Sequence, residues 1–466
     1  MDHPTPETLR RFLLDESRGE DNDRVEHHLT ADRCERCLYA SREVLPALDF
    51  NRREGVHLFI LGIYPELAGG GDRERGREGL GAAVQHSERF GMVIDCERAL
   101  APQLVAELER RPLLARREAI RTLDRYHLFG LAETLCRMSR EAVFSDPVRA
   151  IELAELAVEV ASALAPALYT GPLTADLRAL SRAVLGNARR ASSDLFGAES
   201  AFEEGLLYLA QGTKVSRVQA EFRSLLGSLR IDQTRYREAA QVLDEARELL
   251  NVEDDPDLLT RVMLQLGLCA GYAGEAEEAV AVFGRAAELS ETLGEERLTL
   301  NARHNVSWWL VEAGDSLEAL ATYEKTRRLY DRFADDPWVQ LRRRWLEGRI
   351  HSGLGDLETA RQALSEVRAE AARRELGYEL AMVNLDLALV YLDMGDLARV
   401  QKLAEELTPV FLSQELHRHA VAAVYLFRDA ARAQRATAGF VRDVLAYLRR
   451  ARNNPYLRFE PSAPRA

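Results

Sequence analysis

The sequence predicts an all-α chain: a right-handed solenoid of antiparallel helix pairs, preceded by a small three-helix module. Three observations predict it. Ala, Leu, Glu and Arg, all good helix formers, dominate the composition. A register of small residues recurs through the second half of the chain. The first 48 residues follow a different helical pattern and carry their own group of His and Cys.

At 466 residues the chain exceeds a single core and divides into residues 1–48, a helical module; 49–100, a linker with an apolar segment; and 101–459, the repeats. With 47% apolar and 29% charged residues it reads as folded and not as disordered. A net charge of −13 argues against direct nucleic-acid binding and favours a basic protein partner. The opening MDHPTPETL has no signal-peptide core, and the longest apolar run, Val56 to Tyr64, is too short to span a bilayer. The expected setting is the cytoplasm, away from the membrane, with reduced thiols.

In the module, Thr5 and Pro6 suit the N-cap and first position of a helix, and Leu9, Phe12 and Leu13 form its apolar face. A second helix is expected from Glu20 to Thr30, with Val25 and Leu29 inward. A third begins near Cys34, with Cys37, Leu38, Ser41 and Leu45 on one side, and ends at Pro46. The two-residue gap between Cys34 and Cys37 lets both thiolates reach one tetrahedral zinc ion. The pair sits at a helix start, where the dipole favours thiolates. His28 shares the inward face of Val25, His27 points away, and His3 is the natural fourth ligand. So short a unit has a meagre core, to which bound zinc would add folding energy. The alternative is a metal-free helical cap.

This arrangement resembles the zinc-binding anti-sigma domain of bacteria, which places an early Cys or His before a His-x3-Cys-x2-Cys cluster. His3 stands 25 residues before His28, which fits, but five residues and not three separate His28 from Cys34. The resemblance implies zinc held by His3, His28, Cys34 and Cys37. It implies as partner a sigma factor of the extracytoplasmic-function group, clamped away from polymerase. In some members zinc is lost and a disulfide forms under oxidation.

Between module and repeats, Val56 to Tyr64 is either a segment docked on the solenoid or an exposed strip for a partner. The run AGGGDRERGREGLG reads as a loop. Residues 101–165 then read as helices, with LARREAIRTL and PVRAIELAELAVEVASALA the clearest.

Six segments share one register. Gly186, Gly227, Gly267, Ser307, Gly348 and Ala388 are each followed twelve positions later by Ala198, Ala239, Ala279, Ala319, Ala360 and Val400. Four positions further on stand Phe202, Leu243, Phe283, Tyr323, Leu364 and Ala404. The small residues let helix A and helix B of one unit approach closely, and the larger one is expected in the groove of the neighbouring unit. Gly274, Gly314, Gly355 and Gly395 mark the turn after helix A, and Asp315, Asp356 and Asp396 can cap helix B. The segments LGLCAGYAGEAEEAVAVFGRA and LEGRIHSGLGDLETARQALSEV resemble the tetratricopeptide repeat, with a period of 40 or 41 residues against its usual 34. Ala420 to Arg452 reads as a final helical pair, after which Leu457 and Phe459 pack back as a cap.

No phosphate-binding loop or nucleophile elbow occurs, so no enzyme is expected. On the A-helix side, which lines the inner face of such solenoids, fall Asn187, Arg190, His304, Asn305, Trp308, Trp345 and Arg349. Arg and Asn hold amides or carboxylates and Trp supplies contact area, so these are the candidate contacts for a protein or peptide partner. Core or solvated positions are the alternative for half of them. The expected function is a regulatory protein–protein interaction scaffold of anti-sigma type whose repeats sense a peptide or protein. The competing expectation is a plain adaptor in which the N-terminal unit is only structural.

Overall fold

The computed structural model describes residues 3–13, 19–44, 81–143, 145–413, 418–451, 454 and 456–460. Within them every regular element is helical. The chain divides into two compact units, residues 1–229 with 248–255 and residues 230–247 with 256–466.

The first unit opens with α1 (Pro6–Leu13), α2 (Glu20–Thr30) and α3 (Glu35–Val44). Thr5 caps α1 as expected: its Oγ1 accepts from Thr8 N at 3.1 Å. The next described helix is α4 (Gly81–Glu109), which runs through residues the sequence assigns to the linker and holds Pro102 inside it. The apolar strip Val56 to Tyr64 lies outside the described residues. Then come α5 (Leu113–Thr122), α6 (Phe129–Ala142), α7 (Pro147–Ala163), the one-turn α8 (Pro166–Tyr169), α9 (Gly171–Ala191) and α10 (Leu195–Leu209). Asp146 and Asp194 start α7 and α10 by accepting from Arg149 N and Gly197 N, both at 2.9 Å.

The three-helix module is part of this unit's core. Leu9, Phe12, Val25, Leu29, Cys37 and Leu38 are buried in one cluster with Val93, Ile94 and Cys96 of α4. Tyr39 Oη donates to the Arg125 carbonyl at 2.9 Å, and Arg125 pairs with Glu35 at 3.3 Å. Nearby, the fully buried Glu97 carboxylate accepts from Gly130 N at 3.1 Å and from Tyr169 Oη at 2.8 Å. A buried charge is tolerated only when bonded in this way.

Past α11 (Ser216–Asp232), which runs across the division, the second unit holds α12 (Tyr236–Glu248), α13 (Pro256–Ala273), α14 (Ala276–Thr292), α15 (Glu296–Ala313) and α16 (Ser316–Arg332). It continues with α17 (Pro337–Gly353), α18 (Leu357–Arg373), α19 (Gly377–Asp393), α20 (Leu397–Ser413), α21 (Arg418–Arg432) and α22 (Ala438–Ala451). The turns are those the sequence predicts. Gly274, Gly314, Gly355 and Gly395 have φ of 94°, 88°, 78° and 74°, a region that penalises any side chain. Asp315, Asp356 and Asp396 accept from Glu318 N, Thr359 N and Arg399 N at 3.1, 3.3 and 3.1 Å.

One expectation changes. The large residue of the register packs on its own unit's A helix. A Cβ at Gly186 would sit 2.6 Å from the Phe202 ring, at Gly267 2.7 Å from the Phe283 ring, and at Gly348 2.7 Å from Leu364. The glycine is thus the socket for the ring or isobutyl group of its partner helix. Phe202 also meets Phe222 of the following helix edge-on, at 5.7 Å between centroids.

Candidate functional site

The structure brings His3, His28, Cys34 and Cys37 together, and one donor atom from each lies within 4.8 Å of all the others. Three segments deliver them. His3 precedes α1, and its carbonyl accepts from Arg24 at 3.1 Å, which ties the N-terminal segment to α2. His28 sits in the last turn of α2, 5% exposed, whereas His27 faces solvent at 62%. Cys34 directly precedes α3, and Cys37 lies in its first turn, buried.

The spacing can be tested against the chemistry of the donor set. Zinc bonds of about 2.3 Å to sulfur and 2.0 Å to nitrogen, arranged tetrahedrally, put S and N ligands about 3.5 Å apart. His3 Nδ1 lies 3.5 Å from Cys34 Sγ and 3.7 Å from Cys37 Sγ. The residues fit such an ion. Without one, burial and then the neighbouring Cys34 push the Cys37 thiol up to about 12. A metal would reverse this by taking the thiolate as ligand.

The long gap between His28 and Cys34 is absorbed locally. Ala31 N and Asp32 N both donate to the His27 carbonyl, at 3.0 and 2.9 Å, and close the end of α2. Arg33 takes a φ of 46°, and Cys34 N donates to the His28 carbonyl at 2.8 Å. The extra residues form a tight bulge, and Cys34 still returns to His28.

Of the inner-face candidates, Asn187 and Arg190 lie on α9, both buried, and Arg190 Nε donates to Asn187 Oδ1 at 3.1 Å. The other five lie in the second unit. Trp308 meets Trp345 edge-on at 6.0 Å, and its ring carries the Arg349 guanidinium at 4.0 Å. His304 stacks near the same ring at 6.1 Å, and its Nδ1 lies 2.7 Å from Tyr330 Oη. Burial, followed by Arg342 and Arg349, pushes the His304 imidazole well below its usual value, so it stays neutral. Trp345 Nε1 donates to Asp386 Oδ2 at 2.7 Å. Asn305 Nδ2 donates to the Asn301 carbonyl at 2.8 Å. Asn305 and Trp308 are the two of these five that are not buried.

Sequence reasoning missed the groups that complete this cluster. Arg449, on α22, lies 5.2 Å from the Trp308 ring and bonds to Glu312, which also accepts from Arg349 at 2.5 Å. Burial alone would raise the Glu312 carboxyl, but Arg349 and Arg449 outweigh it and hold it at about 2. Tyr378 Oη on α19 bonds to the Leu448 carbonyl of α22. After α22, Tyr447 Oη donates to the Leu457 carbonyl at 2.9 Å and Phe459 lies 5.2 Å from the Tyr447 ring, so the tail folds back as expected. No signal in the local sequence couples Arg449 to Glu312; only a weak hint, a pair of Arg closing a final amphipathic helix, was present.

Among the described residues, no helix is long and apolar enough to cross a membrane. Residues 258–332 match the family model described as tetratricopeptide repeat. No curated protein matches the chain. Among solved structures it is similar to a Rap protein complexed with competence and sporulation factor, with a TM-score of 0.51 and 11% identity over 69% of this chain and 88% of that one. Aspartyl phosphate phosphatase F from Bacillus subtilis aligns with a TM-score of 0.49 and 13% identity, over 88% of this chain and 96% of that one. A signal-transduction ATPase with a tetratricopeptide repeat sensor, from Pyrococcus horikoshii, aligns with a TM-score of 0.49 and 12% identity, over 96% of this chain and 72% of that one. At 11% identity the first likeness is one of fold. The tetratricopeptide-repeat match thus covers residues 258–332, and paired helices continue on either side of it.

Proposed function

We propose that this protein is a cytoplasmic regulatory scaffold whose N-terminal module holds a structural zinc ion and engages a transcription partner of the sigma-factor type. The observation that carries the reading is the convergence of His3, His28, Cys34 and Cys37 from three segments at zinc-ligand spacing. Bound there, zinc would supply folding energy to a unit with few core residues of its own. The repeats would take a second protein or peptide that strengthens or relieves the engagement. The acidic net charge of −13 supports a basic protein partner over nucleic acid.

The test has two steps. Metal analysis of the full chain, purified without chelator, is expected to give one zinc per chain. Immobilised full chain is then expected to retain a sigma factor of the extracytoplasmic-function group, and a Cys34→Ser, Cys37→Ser double variant to lose it. Zinc-free wild-type protein would falsify the metal step.

A second reading has its own support. Because α1–α3 share one core with α4, the module also suits a structural cap on an adaptor that recruits its partner elsewhere. Under that reading partner binding survives the double cysteine substitution.

A further inference from the structure

The bulge between His28 and Cys34 does more than take up slack. It folds Asp32 back over the last turn of α2. There Asp32 Oδ2 lies 3.3 Å from His28 Nδ1, and Asp32 Oδ1 lies 3.5 Å from His27 Nε2. The two backbone bonds to the His27 carbonyl, the positive φ of Arg33 and the bond from Cys34 N to the His28 carbonyl fix this placement. The backbone thus places Asp32 beside the last turn of α2, and its carboxylate turns in between the two imidazoles. The Asp32 side chain is 25% exposed, although the residue as a whole lies at the surface.

His28 needs such a neighbour. It is 5% exposed, and its Nδ1 is buried with no hydrogen bond among the described residues. The Asp32 oxygen is close enough but off the line a bond requires. A buried ring nitrogen left without a partner keeps its desolvation cost uncompensated. Metal-bound imidazoles commonly resolve this by donating their second N–H to a carboxylate, which fixes tautomer and ring orientation together.

We infer that Asp32 is the positioning residue of the metal centre: it accepts from His28 Nδ1–H and so presents Nε2 to the ion. This assignment rests on the zinc reading proposed above. It also gives the five-residue gap a purpose, since a three-residue gap leaves no loop to carry a carboxylate back over α2. His27 sits on the outer side of the same carboxylate and is not required by the argument.

The test uses the full-length chain. Zinc affinity is measured by competition with a chromogenic chelator for wild type, Asp32→Ala, Asp32→Asn and His27→Ala. Long-range proton–nitrogen NMR on ¹⁵N-histidine-labelled protein reads which nitrogen of His28 binds metal. The expected result is a 10- to 100-fold weaker affinity for Asp32→Ala. Asp32→Asn, which keeps an acceptor oxygen, should fall between it and wild type, and His27→Ala should match wild type. In the wild type His28 should show a protonated Nδ1 and a metal-bound Nε2, and that signature should broaden or switch in Asp32→Ala. Unchanged affinity in Asp32→Ala, or Nδ1 as the metal-bound nitrogen, overturns the assignment and leaves the zinc reading standing. A fall in thermal stability with unchanged affinity and tautomer also overturns it, since that marks a purely structural loop residue. Wild-type protein that takes up no zinc overturns the reading beneath it, and this assignment with it.

Discussion

Two clusters of polar side chains lie within helical packing in this protein, and they are balanced in opposite ways. The one around Trp308 in the second unit pairs opposite charges: Arg349 and Arg449 share Glu312, Arg349 Nε lies 3.7 Å from Asp386, and the Trp308 ring takes the guanidinium faces. Two positive and two negative groups cancel. The N-terminal cluster offers two imidazoles and two thiols, neutral groups with long mutual contacts, 3.5 and 3.7 Å from His3 Nδ1 to the two sulfurs, whose lone pairs suit a cation. A set of charges that cancel needs no further ion, whereas a set of neutral Lewis bases can take one. That contrast separates the two groups of residues that the sequence offered as candidates.

The sharpest way to break the contrast is at the proposed metal site. A structural zinc contributes about 10 kcal/mol, or about 2.5 kcal/mol for each of four ligands. Cys37→Ser should therefore weaken zinc by about a hundredfold or more, and amide exchange over α1–α3 should rise while α13–α19 keep their protection. Equal loss of protection in both regions would show that the module is not a separate metal-dependent element. Next in size is Glu312→Gln, which leaves Arg349 and Arg449 short of their shared carboxylate. The second unit should lose about 2 kcal/mol at neutral pH, less than the full shift implies because Glu312 is partly open to solvent. The sign follows from the depressed folded value: the carboxylate stabilises above its unfolded value of about 4.5, and the contribution fades as pH falls toward about 2. Denaturant melts should accordingly converge for wild type and variant at the acid end of that range.

Smaller effects probe the frame that holds both clusters. Gly267→Ala places a methyl 2.7 Å from the Phe283 ring, an overpacking worth about 1–3 kcal/mol. Asp315→Ala removes the cap on α16 and should cost about 1 kcal/mol by thermal melting. If either change altered zinc content, the independence of the two clusters would fail.

The repeat was legible because its causes are local. A glycine socket, the ring it receives and the Gly-Asp turn between them all fall within one pair of helices, so the register shows in the sequence. The four candidate ligands were legible for the same reason: three of them fall within ten residues, His28 to Cys37. Less could be read where the cause is distant. Residues 81–100 looked like linker because glycines and charges crowd the stretch before them, yet α4 is held by apolar contacts to helices on both sides in sequence. His304, Trp308, Trp345 and Arg349 were identified as inner-face residues, but their partners Glu312, Asp386, Tyr330 and Arg449 come from four different helices. Asp32 carries no such signal, since the length of a gap does not say where any one of its residues returns.

The bond between Arg449 and Glu312 spans 137 positions of the chain. Each repeat can assemble as soon as its two helices exist, but this bond must wait for α22. Arg349 can reach Trp308 and Glu312 once α17 is made, but synthesis at roughly 5–20 residues per second leaves the place of Arg449 open for on the order of 10 s after Glu312 emerges. During that interval the cluster presents an aromatic ring and a carboxylate short of one guanidinium, a surface available to any Arg-bearing segment nearby. Nascent chains are thus sticky in a way the finished protein is not.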